Sequence, residues 1–130
     1  MAQKAIELIL ARQLASCLAM PIFIVDRTGI LVFYNEPAEK ILGLRFDETG
    51  ELGPAEWATK FEPTDDAGMA LAPEAIPLYV ALAEHQPAHG TFWIQGLDGQ
   101  RRYIAVTAFP IIGQAERQHG AIAIFWETAS

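Results

Sequence analysis

The side chains that could bind a metal or do acid–base work are thinly spread along this chain. His85 and His89 stand four residues apart with Pro87 between them. Proline breaks a helix, so the pair cannot share a helical face, and no third ligand lies close in sequence; a zinc site is not expected. The run Glu62-Pro63-Thr64-Asp65-Asp66 clusters oxygen ligands of the kind a hard cation takes. It lacks the alternating carboxylates and distal glutamate of a calcium loop and reads as a solvated turn. Ser16 and Cys17 fall in an apolar helical stretch with no histidine beside them, and Ser130 ends the sequence. A Gly-Lys-Ser or Gly-Lys-Thr phosphate loop is absent, as is a dinucleotide fingerprint after a strand. The expectation is therefore no catalytic residue, no metal site and no enzyme.

Aromatic residues offer more. Trp57, Phe61, Tyr79, Leu82, Trp93, Thr107 and Phe109 are expected to line a space between a sheet and its helices. Aromatic walls with a few hydrogen-bonding groups suit a planar or apolar small molecule. The plainer alternative is that side chains fill that space.

The elements that must position these residues begin with a hairpin. Pro21 to Val25 and Ile30 to Tyr34 are two β-rich runs joined through Asp26-Arg27-Thr28-Gly29. Asn35 then suits a helix cap, Pro37 a first turn, and Gly43 the end of a short helix. Residues 44–71 carry scattered glycines and prolines, with helical turns expected around Ala55 to Lys60. Pro77 opens a further helix that Gln86-Pro87 should end. Three strands follow, at Gly90 to Gln95, Arg101 to Ile111 and Gly120 to Glu127, the first two joined by an Asp98-Gly99 turn. In the last of them Ala121, Ala123 and Phe125 face one way and Ile122, Ile124 and Trp126 the other, and neither side is polar. Both faces of the sheet need cover. Upstream, Ala2 to Ala19 has no Gly or Pro and reads as an amphipathic helix with Ile6, Leu10, Leu14, Cys17 and Leu18 on one stripe, widened by Leu8, Ala11 and Ala15. That helix either packs on its own sheet or pairs with a second copy, and both are compatible.

The order from Met20 to Gly43, the Glu74-to-Leu82 stretch E-A-I-P-L-Y-V-A-L, the strand pair at Gly90 to Ile111 and G-A-I-A-I-F-W-E at Gly120 to Glu127 together resemble a PAS domain, the small sensory module of signalling proteins. The resemblance covers roughly Met20 to Thr128. It implies an α+β fold, a five-stranded antiparallel sheet with short helices on one face, preceded by an amphipathic helix (1–19) that covers the sheet or joins a dimer, with the sensory domain at 20–130. It also implies a signalling role in which pocket occupancy or partner docking is coupled to a dimer arrangement. The interface would use Ile6, Leu10 and Leu14 of the helix with Ile122, Ile124 and Trp126 of the sheet. Alternatives are a haem-binding gas or redox sensor with His85 as axial ligand, a noncovalent flavin bordered by Trp93, or a small-molecule enzyme or carrier of similar shape. The cysteine of light-sensing flavin domains has no counterpart, since Cys17 lies outside the domain.

Composition agrees with a folded module and excludes other classes. The chain has 130 residues, 52% hydrophobic and 19% charged, enough apolar area for one core. A net charge of −7 with Arg101-Arg102 as the one basic pair argues against direct nucleic-acid binding. No run reads as a membrane span, and the single cysteine leaves no internal disulfide, so a reducing cytoplasm is expected. A homodimer, an output domain or signalling partner and a small ligand are the expected partners; cofactor identity stays open, with none as the base expectation.

Overall fold

Since β1 (Ile22–Asp26) is apolar at every position but the last and side chains alternate across a strand, its sheet must bury both faces, and the architecture follows from that demand. The computed structural model describes residues 6–113, 115 and 117–128. Helix α1 (Ile6–Cys17) precedes β1 and β2 (Leu31–Tyr34). Helices α2 (Glu36–Leu42), α3 (Phe46–Thr49) and α4 (Pro54–Lys60), a 3₁₀ turn (Pro73–Ala75) and α5 (Pro77–Glu84) follow, and then β3 (Ala88–Gln95), β4 (Arg101–Ile112) and β5 (Gln118–Glu127). The strands form one antiparallel sheet in the order β2-β1-β5-β4-β3. The expected five-stranded α+β arrangement is the one observed.

One face of the sheet presents Phe23, Val25, Ile104, Val106, Ala123 and Phe125 to α2, α4 and α5, forming the larger core. The other presents Ile22, Ile24 and Val32 to α1, which seats Leu8 and Ala15 on them with Ile122 and Ile124 at the margin. Burying one such leucine contributes roughly 2 kcal/mol, and Glu7 beside His119 (3.4 Å) and Arg12 over the Phe33 ring add polar contacts to the same helix. The apolar positions of α1, expected to form one broad stripe, divide between two faces. Leu8 and Ala15 are buried, while Ile6, Leu10 and Leu14 remain 65%, 57% and 62% exposed on the far side. Ile122 and Ile124, expected on a dimer interface, are half-buried against the cluster that the chain's own α1 forms with the sheet. Only Trp126 of that set stays open. Residues 2–5 of the expected helix lie outside the described residues.

Three local features fix the layers. Asp26 Oδ1 accepts hydrogen bonds from the Thr28 and Ile30 amides and from Thr28 Oγ1, which sets the β1–β2 turn with Gly29 at φ +88°. Gly120, in register with Asp26, lies so close to β1 that a Cβ there would run into the Val25 carbonyl oxygen. Asn35, only 1% exposed, caps α2 by accepting from the Ala38 amide (3.2 Å) and also from the Ile22 amide (2.9 Å). Its own amide donates to the carbonyls of Ala15 (2.9 Å) and Met20 (2.8 Å), so one side chain ties the end of α1, the start of β1 and the start of α2. No helix among the described residues is long and apolar enough to cross a membrane.

Candidate functional site

Between the sheet and helices α2, α4 and α5 the packing leaves a cavity of about 80 Å³. Its sheet wall is built from four strands: Phe23 of β1, with alternate residues Phe92 and Ile94 of β3, Ile104 and Val106 of β4, and Ala123 and Phe125 of β5. Opposite stand Trp57 and Phe61 of the α4 region, Leu78 of α5 and Leu42 of α2. Trp57 is held by its Nε1–H, which donates to the Gly29 carbonyl at 2.7 Å, and its ring meets Phe23 edge-on at 6.0 Å. Phe23 in turn stacks on Tyr34, whose hydroxyl donates to the Leu44 carbonyl at 2.8 Å and lies 3.1 Å from Thr49 Oγ1. Burial raises the Tyr34 phenol above its ordinary range, with Glu39 and Glu48 adding to the effect against the Thr49 hydrogen bond.

Of the seven residues expected around this cavity, Trp57 and Phe61 line it. Tyr79 and Leu82 pack against the same core from α5 without reaching the cavity wall. Trp93, Thr107 and Phe109 are a correction: they stand on the opposite face of the sheet. Phe92, Ile94, Val106 and Ala108 point inward, and their sequence neighbours must point outward. There Trp93 packs on Tyr103, ring centroids 5.1 Å apart, beneath the Arg101 guanidinium, and His89 lies beside Trp126 at 6.4 Å. Phe109 and Trp126 are 37% and 36% exposed on this face. The reading by residue type missed most of the wall. Its signal was the pairing of β4 with β5, which sets Val106 opposite Phe125 and Ala108 opposite Ala123.

The cavity wall holds no ionisable side chain. His85 is exposed and caps α5 in the left-handed conformation (φ 57°), outside the wall, so the residues present do not fit a haem ligated there. Nor do they fit a flavin: Trp93 is on the other face, and no wall side chain offers a free hydrogen-bonding group to a ring edge. Asp65 accepts from the Ala67 and Met69 amides and closes a turn. Among the described residues no three His, Cys, Asp or Glu side chains gather as metal ligands. Arg102, whose side chain is largely buried, donates to the Ile41 carbonyl (2.9 Å) and both oxygens of Asp98 (3.3 and 3.1 Å). The Arg102 hydrogen bond, with help from the Gln100 amide, holds Asp98 below the usual carboxylate range.

No protein-family profile matches the sequence, and no curated protein does. Solved structures do. The PAS domain of BvgS from Bordetella pertussis superposes with a TM-score of 0.67 at 22% identity, over 97% of this chain and 89% of that one. This is the PAS fold. A PAS domain from Colwellia psychrerythraea gives 0.65 at 19% identity, over 93% and 96% of the two chains. The light-state dimer of the fungal blue-light photoreceptor Vivid gives 0.63 at 14%, over 84% and 78%. The cavity lies between the sheet and the helices that follow its first hairpin.

Proposed function

We propose that the chain is a non-enzymatic PAS sensory module that acts as a homodimer through residues 1–19, with 20–130 as the sensing unit, in a cytoplasm where the exposed Cys17 thiol stays reduced. The observation that carries this reading is the outward stripe of α1. Ile6, Leu10 and Leu14, one helical turn apart and more than half exposed, contribute nothing to the chain's own core. An exposed apolar stripe of this kind can be covered by the same stripe of a second copy across a twofold axis. One structure of the same fold, that of Vivid, is described as a dimer, which supports the reading. Occupancy of the cavity, or docking of an output domain, would then favour one of two placements of α1, and the difference in affinity between them sets the strength of the signal.

Sedimentation across concentration tests it. The wild-type chain is expected to dimerise, and Leu10→Glu to shift it to monomer while leaving the far-ultraviolet spectrum unchanged, because Leu10 faces away from the sheet. A wild type that stays monomeric at every concentration, or a Leu10→Glu dimer of unchanged affinity, overturns the proposal. Ile124→Glu is unsuitable as a probe, since that side chain is half-buried beneath α1.

A further inference from the structure

The cavity between the sheet and helices α2, α4 and α5 carries a statement about the chemistry of its ligand. We infer that it takes a small, wholly apolar molecule, a hydrocarbon of about two or three carbons or a particle of similar size. The inference deepens the sensory reading above and rests on it for the meaning of occupancy, but not for the binding itself.

Three observations point the same way. All thirteen residues around the cavity are apolar in character and buried, and five of them are aromatic. The single polar side-chain atom among them, Trp57 Nε1, already donates to the Gly29 carbonyl at 2.7 Å. A ligand hydroxyl, amide or carboxylate inside this wall would therefore lose its water and find no side-chain partner, which disfavours polar molecules strongly. Size sets the other bound. At about 80 Å³ the cavity is roughly half the ~150 Å³ apolar cavity known to accept benzene or xenon. Native interiors rarely keep voids much larger than a water molecule, so a space of this size bordered by polarizable rings is a site for a compact apolar guest.

The probes are xenon and the isosteric pair propane and ethanol, followed through the methyl resonances of Leu78, Ile94, Ile104 and Val106 in the full chain. Propane and xenon are expected to shift these methyls saturably, and ethanol to bind at least 10-fold more weakly. Ala123→Leu, whose side chain extends into the cavity from the middle of β5, should weaken propane at least 10-fold; Ala123→Val replaces it if the larger side chain perturbs folding. Saturable binding of ethanol as tight as that of propane, or no response to either apolar probe, overturns the inference. So does undiminished propane binding in the folded Ala123 variant. Sedimentation on the same samples separates this outcome from the fate of the functional reading: a dimer that binds no apolar probe retains the sensory proposal and loses the ligand class, and a monomer that binds propane does the reverse.

Discussion

Replacing Asn35 should loosen three elements at once, and the two obvious substitutions should do so differently. In Asn35→Ala the Ile22 and Ala38 amides lose their acceptor inside the protein. A buried donor left without a partner costs about 1–3 kcal/mol, so the two together cost about 4 kcal/mol. The Ala15 carbonyl loses less, because it also accepts from the Leu18 amide at 3.2 Å. With a urea m-value of about 2 kcal/mol/M for a domain of this size, the unfolding midpoint should fall by about 2 M. Asn35→Asp keeps an acceptor for both amides and so retains the α2 cap, but turns a carboxylate oxygen toward the carbonyls of Ala15 and Met20. Its damage should be confined to α1 and the segment leading to β1. Amide hydrogen exchange reads this directly: in Asn35→Asp the α1 amides should exchange faster while those of α2 keep their protection. A midpoint shift below about 0.5 M for Asn35→Ala, or equal loss of protection in α1 and α2 for Asn35→Asp, would show that the side chain does not join these elements as argued.

Other expected outcomes concern charge and close contact. The folded-state pKa of Asp98 lies below its unfolded value, so its contribution to stability is present above about pH 3.8 and is lost as pH falls through the lower folded value; Asp98→Asn should flatten the acid limb of urea midpoint against pH, and identical limbs would remove the pair from the account. Tyr34 is shifted the other way: the unfolded chain releases the phenol proton first, so stability declines as pH climbs past about 10. Tyr34→Phe should abolish that part of the alkaline decline, at a cost of about 1 kcal/mol at neutral pH for the lost hydrogen bond to the Leu44 carbonyl. Gly120→Ala should push β5 away from β1 at the Val25 carbonyl and lower the melting temperature by more than the same change at Gly53, where φ is −71° and an added Cβ meets only the Glu56 carboxylate at 3.5 Å; equal effects at the two sites would refute the close approach.

Elements that carry their own punctuation were readable from the residues. Asn35 and Pro37 announced α2, Pro77 announced α5, and Asp98-Gly99 announced the β3–β4 turn, because each acts on backbone within a few residues of itself. Helix α3, a single turn over Phe46–Thr49, has too few residues to display any period and went unread. The phase of β3 and β4 was equally hidden. Thr91-Phe92-Trp93-Ile94 is nearly apolar on both sides, so alternation alone cannot say whether Phe92 or Trp93 faces the helices; pairing with β4 and β5 decides it. The same ambiguity affected α1, whose two apolar faces blend into one on a helical projection until the sheet claims Leu8 and Ala15. Large aromatics drew the expected site toward Trp93 and Phe109, whereas the wall is finished by Ala123 and Val106, small side chains that leave room.

The strand order has a consequence for how the protein is made. Strand β1 sits between β2 and β5, pairing residues 22–26 with 120–124, so an inner strand of the sheet waits for the last strand to emerge from the ribosome. Until then the β1–β2 hairpin can close but Ile22 and Ile24 lack β5 beside them. Pairing so remote in sequence is slow, because a loop of nearly a hundred residues must close first. During synthesis at about 5–20 residues per second, the nascent chain exposes an apolar strand for several seconds. Helix α1, emerging before either strand, is the one element positioned to shield that face in the interval.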